Sequence, residues 1–421
     1  MSGSVPSASP VSRLRELAAA GWRRVRTEAF GAEPTGARLD RIRRSPQFAD
    51  GAFRNPVPTR RLVYERSPFE VTRAQLSGPR ERRLPARPIP VHPLSSAELA
   101  AAPASGLRVS WLGHATVLAE LDGRRVLFDP VWSPRCSPFP GIGPRRLHPM
   151  PIRLADLGPV DVVVISHDHY DHLDMTSIRA LIGSGAQFCV PLGVGAHLEH
   201  WGVPAARITE LDWWESAEVA GLTLTATPAR HYCSRGPRTS THFLWASWAV
   251  AGAGHRVFHS GDTGYFAGFE RIGAELGPFD LTMVQVGAYS PFWPEVHMTP
   301  EEGVRAHLDL RGGLLLPIHW ATFNLAPHPW EEPVERTLAA ARERGAEVVV
   351  PRLGVPFEPA AAPAADYWWR AVTALPVGTP AGQPVGAEPV GVEPVAPVGA
   401  VPAAVVPDVD VDVDREDGVP A

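Results

Sequence analysis

Between residues 105 and 358 the chain alternates short apolar runs with stretches of helical periodicity. Residues 108–121, 125–131, 161–166, 187–191, 222–227, 256–260, 281–286, 314–318 and 347–350 read as strands. The run 222–227 alternates Leu with Thr, the two-residue period of a half-buried strand, and Val162-Val163-Val164-Ile165 is apolar throughout, as in a strand covered on both faces. Residues 173–182, 301–310 and 332–344 read as helices. Pro300 suits the first turn of the second, where a missing N–H costs nothing. Alternation of this kind predicts an α/β fold with its site along one sheet edge.

The flanks are different. Residues 11–30 place Leu14, Leu17, Ala18, Trp22 and Val25 at helical spacing beside Arg23, Arg24 and Arg26. This predicts an amphipathic helix that packs on the core or lies on an anionic membrane surface. Prolines between 45 and 93 predict an extended arm. The organisation expected is an Arg/Pro-rich extension over 1–100, a catalytic domain over 101–358 and a tail over 359–421. In that tail Pro, Val, Ala and Gly dominate, which predicts disorder. Tyr367-Trp368-Trp369 stands out within it as a docking patch.

Composition narrows the class. With 421 residues, 44% of them hydrophobic and 20% charged, the chain has apolar material for one large domain plus extensions. A net charge of −5, without a basic stripe interleaved with aromatics, argues against a nucleic-acid partner. Cys136, Cys189 and Cys233 are too few for a disulfide framework and fit a reducing compartment. Residues 1–10 lack the layout of a secretory signal, and no apolar run is long enough for a membrane span. A cytoplasmic location is expected, with peripheral membrane contact through the N-terminal helix.

The densest chemistry is Ser166-His167-Asp168-His169-Tyr170-Asp171-His172, three imidazoles and two carboxylates in seven positions at the end of an apolar strand. Imidazole nitrogen and carboxylate oxygen are the donors that zinc takes in catalytic sites, at about 2.0–2.2 Å. Residues two apart in an extended segment point the same way, so His167 and His169 suit one ion, and Asp171 and His172, where the chain turns, suit another. His231, Asp262 and His319 each follow a further strand. Either histidine alone is more often a packed side chain than a ligand; in order after the first motif the set is far more specific. Gly261 and Gly264 permit a tight turn around Asp262, whose two oxygens can reach two cations. Asp168 reads as a solvated spacer and Cys233 as a buried bystander.

These residues resemble the metallo-β-lactamase superfamily, whose mark is His-x-His-x-Asp-His with a later His, Asp and His. Over roughly residues 42–357 the match narrows. Trp111-Leu112-Gly113-His114-Ala115-Thr116, Leu211-Asp212-Trp213-Trp214-Glu215, Gly261-Asp262-Thr263-Gly264-Tyr265, Gly277-Pro278-Phe279-Asp280-Leu281, His297-Met298-Thr299-Pro300-Glu301-Glu302 and Ile318-His319-Trp320 are similar to N-acylphosphatidylethanolamine phospholipase D and its bacterial relatives. The resemblance implies an αββα sandwich of two mixed sheets flanked by helices. It implies one Zn2+ on His167, His169 and His231 and a second on Asp171, His172 and His319, with Asp262 bridging.

Such a centre implies a dinuclear zinc hydrolase acting on a phosphodiester, with a phospholipid as the implied substrate and a metal-bridging hydroxide as the nucleophile. His297 is expected to contact the phosphoryl oxygen and Asp171 to pass a proton to the leaving group. His114 and Asp129 are expected to stand behind the ligands and orient them. A lactonase or other ester hydrolase on the same centre is the alternative enzyme, and a metal-binding protein without catalysis is the non-enzyme alternative.

Overall fold

The computed structural model describes residues 28–61, 82–139, 141–236 and 241–373. All but the last three residues of the expected 11–30 helix lie outside this set, as does the tail beyond 373.

The arm carries helix α1 (Gly36–Arg44) and a small hairpin, β1 (Phe48–Ala49) with β2 (Ala52–Phe53). Helix α2 (Ser96–Ala100) follows, closed by a capping box in which Ser95 and Glu98 satisfy each other's backbone N–H. The first large sheet is then laid down as β3 (Leu107–Gly113), β4 (Thr116–Leu121), β5 (Arg124–Phe128), β6 (Val162–Val164), β7 (Gln187–Pro191) and β8 (Ile208–Leu211), with helices α3 (Met175–Leu181) and α4 (Gly195–His200) in the later connections. The second sheet takes β9 (Ser216–Val219), β10 (Leu222–Thr227), β11 (Ser247–Ala251), β12 (Arg256–His259), β13 (Phe279–Gln285) and β14 (Gly312–Ile318), with α5 (Gly268–Leu276) and α6 (Pro300–Asp309) beside its parallel part. Helix α7 (Glu332–Arg344), strand β15 (Pro356–Phe357) and helix α8 (Trp368–Thr373) complete the described chain.

The strand orders are β15-β3-β4-β5-β6-β7-β8 and β14-β13-β12-β11-β10-β9. Both sheets are mixed. Pairing from β5 through β8 is parallel, with Val126 opposite Val162 and Val164 opposite Cys189; β12, β13 and β14 are also parallel, and the remaining pairs are antiparallel. The expected two-sheet α/β sandwich is the observed fold.

One apolar core joins residues of both sheets, and the Trp248 indole donates to the Ile165 carbonyl across it. A second core fills the space between β12–β14 and α5–α7, built on Phe258, Phe269, Phe279, Val304 and Leu315. β6 and β4 are buried along their whole length; β6 accordingly reads as a continuous apolar run, while in β4 the buried Glu120 is paired with Arg108 and Arg125.

Several boundaries differ from the pattern. Residues 108–121 form two strands, because Gly113 (φ 117°) and His114 (φ 52°) turn the chain back on itself. Residues 347–350 make only an isolated bridge, Val348 to Leu315. β8, β9 and β11 are strands that the pattern does not mark; β9, Ser-Ala-Glu-Val, is short and half polar. Helix α3 starts at Met175 because the Asp174 carboxylate accepts from Thr176 N and Ser177 N, fixing Asp174 as the N-cap. Within residues 359–373, expected as part of the disordered tail, Trp368, Trp369 and Val372 are buried, with Trp368 stacked 5.5 Å from Trp320. An indole has too much apolar surface to be left in water when such a neighbour is at hand.

Candidate metal centre

Strand ends deliver the chemistry. β6 runs into 166–172, β10 into His231, β12 into Asp262 and β14 into His319, while His114 sits in the β3–β4 turn and His297 between β13 and α6. Three groups of donor atoms lie within 4.8 Å of one another: His167, His169, His231 and Asp262; His114, Asp171, His172 and His319; and Asp262, His297 and His319. All seven expected ligands are thus gathered at one edge of the sandwich.

Asp262 occupies the middle. Its Oδ2 is 3.9 Å from His167 Nε2, 3.9 Å from His231 Nε2 and 3.2 Å from His172 Nε2, and its Oδ1 is 3.1 Å from His319 Nε2. Asp171 Oδ2 lies 3.3 Å from His319 Nε2 and 3.6 Å from His172 Nε2. The turn that presents Asp262 depends on Gly261, at φ 54°, where a Cβ would fall 2.5 Å from Ser166 Cβ. His259 accepts from the Gly261 N–H through Nδ1 and donates from Nε2 to the Ala115 carbonyl, so it braces that turn.

The outward ring nitrogens of His231, His172 and His167 are held. His231 Nδ1 donates to the Val296 carbonyl at 2.9 Å, and its backbone is clamped by Asn55, whose amide both accepts from His231 N and donates to His231 O. His172 Nδ1 is 2.7 Å from Asp129 Oδ2, and His167 Nδ1 is 2.9 Å from Ser166 Oγ. Asp129 also accepts from Ser166 N and Ser166 Oγ, so one buried carboxylate orients His172 directly and His167 through a hydroxyl. His169 turns Nδ1 inward, 2.9 Å from His167 Nε2.

His114 hydrogen-bonds one of the expected ligands. Its Nε2 is 2.9 Å from Asp171 Oδ2 and its ring centroid 3.8 Å from that of His319, so it stands among the second group of donors. Its carbonyl accepts from His319 N, which ties the β3–β4 turn to the end of β14. Asp168 differs from its expected place. It is buried: Oδ1 accepts from Ser234 N, and Oδ2 faces His197 Nε2 at 3.6 Å. Alternation along the strand turns this residue away from the centre into a packed layer rather than into water.

The donor chemistry fits cations. His172 Nε2, His319 Nε2 and Asp262 Oδ1 are buried without a hydrogen-bond partner although they face one another at close range. Leaving such groups unsatisfied costs about 1–3 kcal/mol each. Burial would raise the Asp262 and Asp171 carboxyls, but the surrounding imidazoles, His172 foremost, hold both well below the usual range. Burial, then the neighbouring histidines, holds His167 well below the ordinary imidazole value. His172 is the reverse: burial would lower it, yet Asp262, Asp171 and Asp129 keep it raised. Neutral imidazoles opposite ionised carboxylates are the state in which these groups ligate metal.

A cleft of about 360 Å³ opens onto the centre, lined by Arg61, His169, Asp171, Tyr232, Trp293 and His297 among others. The side chains of Asp171 and His297 are each 13% exposed there, against 2% or less for Asp262, His231 and His319. Larger hollows of about 520 and 550 Å³ lie elsewhere and include no member of the three donor groups. Arg61, Asn55 and Tyr232 carry no mark in the sequence pattern, since their link to the centre is made only by folding; Ser166 sits inside the motif, where its serine is a readable signal.

Residues 124–320 match the family model described as a beta-lactamase superfamily domain. An uncharacterised protein of Mycobacterium tuberculosis is 51% identical over 346 residues, covering 81% of this chain and 92% of that protein. The N-acyl-phosphatidylethanolamine-hydrolyzing phospholipase D 1 of Caenorhabditis elegans is 39% identical over 259 residues, covering 59% of this chain and 72% of that protein. The solved structure of Igni18, a metallo hydrolase of Ignicoccus hospitalis, is 24% identical with a TM-score of 0.45, over 60% of this chain and 98% of that one. With its two mixed sheets and the donors gathered at their edge, the chain belongs to the metallo-β-lactamase superfamily of metal-dependent hydrolases, as a relative of the N-acyl-phosphatidylethanolamine-hydrolysing phospholipases D.

Proposed function

We propose that this hydrolase cleaves phosphodiesters at a centre of two zinc ions, and that its substrate is a phospholipid of the N-acyl-phosphatidylethanolamine kind. The observation that carries the reading is Asp262, with one oxygen turned to the His167, His231 and His172 side and the other to His319. His167, His169 and His231 would hold one ion and Asp171, His172 and His319 the other, with Asp262 between them. A bound cation pair supplies an acidified water near neutral pH and polarises a phosphoryl oxygen.

The protein's own groups do the rest. His297, exposed in the cleft with Nε2 3.8 Å from Asp262 Oδ2, is placed to donate to a phosphoryl oxygen as charge grows on it. Asp171 lines the same cleft as an ionised carboxylate and can take the proton shed by the attacking water and pass it to the leaving oxygen, with His114 holding its carboxylate in place. The cleft is near the small end of ligand pockets, about 300–1,000 Å³. It suits a head group and the scissile bond, with acyl chains lying outside. Among the described residues no helix is long and apolar enough to cross a membrane. A lipid would then be met at the membrane surface, with the catalytic unit running past residue 358 to the end of α8.

The test joins metal analysis to turnover. Two zinc ions per chain, release of phosphatidic acid from N-acyl-phosphatidylethanolamine, and a preference for bis(p-nitrophenyl) phosphate over lactones are expected. A fully loaded protein that opens lactones and leaves every diester intact would sink the phosphodiester reading. A stoichiometry below two after zinc supplementation would sink the dinuclear one.

A further inference from the structure

The arm before residue 62 brings three arginine-bearing contacts to the mouth of the cleft, and they are not equivalent. Arg60 donates from its backbone N to Glu295 Oε2 at 2.6 Å and pairs with the same carboxylate through its guanidinium at 3.4 Å. Arg230 pairs with Glu295 at 2.9 Å and also bonds the Pro58 carbonyl and Thr59 Oγ1. Glu295 therefore answers both. Arg61 comes next along the chain and takes a different course. Its guanidinium lies over the Tyr232 ring, 5.0 Å from the centroid, and lines the cleft with His169, Asp171 and Asp262. Among the described residues it has no carboxylate in ion-pair reach.

The position is built. Asn55 grips the backbone of His231 from both sides, Arg230 holds Pro58 and Thr59, and Glu295 holds Arg60. These bonds join the arm to the segment carrying His231 and to the one carrying His297. Tyr232 in turn packs against His231 and His169, with ring centroids 4.8 Å away in each case. A guanidinium stacked on an aromatic ring keeps its edge donors free for a planar or tetrahedral oxyanion.

We propose that Arg61 binds the anionic substrate at the cleft mouth, donating to a nonbridging phosphoryl oxygen of the diester. The assignment rests on the phosphodiester reading above and adds the residue that would select a charged ester over a neutral one. Arg61 is a substrate-binding residue here, not a metal ligand, so its loss should leave the centre intact.

The variants are Arg61→Gln and Arg61→Lys, each assayed with its zinc content measured. For Arg61→Gln, KM for bis(p-nitrophenyl) phosphate should rise about tenfold with little change in kcat, and turnover of the neutral ester p-nitrophenyl acetate should stay as in the parent. Arg61→Lys should recover part of the loss, since it keeps the charge and loses the forked geometry. Inorganic phosphate binding, followed by calorimetry on the zinc-loaded protein, gives a readout that needs no turnover; its Kd should rise in parallel for Arg61→Gln. An unchanged phosphate Kd and an unchanged diester KM in a variant with parental zinc would overturn the proposal. So would equal losses on the neutral and charged esters. A parent that binds phosphate through Arg61 yet cleaves no diester would leave the assignment standing and remove the phosphodiester reading instead.

Discussion

The two halves of the centre are built from different material. The half around His167, His169 and His231 is nitrogen-rich, and its rings are steadied by neutral groups: the Ser166 hydroxyl and the Val296 carbonyl. The half around His172 and His319 contains the Asp171 carboxylate, leans on Asp129, and admits a further imidazole, His114, within reach of the same oxygen. Proton affinity separates them further: burial holds His167 and His231 well below the ordinary imidazole range, while at His172 and His319 burial is outweighed by the surrounding carboxylates, which keep those two above it. On the two-ion reading, the first half would take a cation without giving up protons, and the second would release them as a cation enters.

Removing what the halves share should have the largest effect. Asp262→Ala takes an oxygen from each side, and hydrolysis is expected to fall on the order of 10³-fold or more, with zinc content below one per chain. Retention of both ions would break the comparison at its root. Metal removal comes next. If zinc stands at a hundredfold excess over its Kd, chelation should lower stability by about 2.7 kcal/mol, read as a fall in Tm that added zinc reverses. The step should split in two under graded chelator if the halves differ.

Two smaller substitutions separate the halves. Ser166→Ala frees the His167 ring and removes one hydrogen bond from the Asp129 carboxylate behind His172, whereas His114→Asn loosens Asp171 alone; each should weaken the ion of its own half by about 10–100-fold, Ser166→Ala with a smaller loss in the other half. A calorimetric titration distinguishes them, because the step of the nitrogen-rich half should move most for Ser166→Ala and the step of the other half for His114→Asn. The same step moving most in both would show that the halves are one unit. The smallest effect is expected at Thr299, whose side chain and Glu302 form the capping box of α6 just after His297. Thr299→Ala should cost about 1 kcal/mol of stability, seen in denaturant midpoint, with zinc content unchanged.

Legibility in the sequence follows locality. The ligand-rich heptapeptide is contiguous, and the strand runs ending at His231, Asp262 and His319 carry their own period-2 or apolar signal, so fold class and the donors found together can be read from neighbours in sequence. The β3–β4 turn is hidden because Gly113-His114-Ala115 is not a standard turn sequence and the runs on both sides are equally apolar. Asp168 misleads because a carboxylate between ligands looks solvated until Ser234 and His197 are seen to enclose it. Asn55 and Arg61 leave no trace, since they act on His231 and Tyr232 across more than a hundred residues of chain.

The packed end of the chain has a practical consequence. Trp320 directly follows His319, and around it stand Trp111 at 5.5 Å, Trp368 at 5.5 Å, Trp369 at 6.0 Å and Trp330 at 6.4 Å. Indoles this close can exchange excitation energy, so a cation drawn to the neighbouring imidazole would be expected to alter the emission of the group. That would give the molecule a native optical gauge beside one half of its centre, and a zinc titration followed by the chain's own fluorescence is the check.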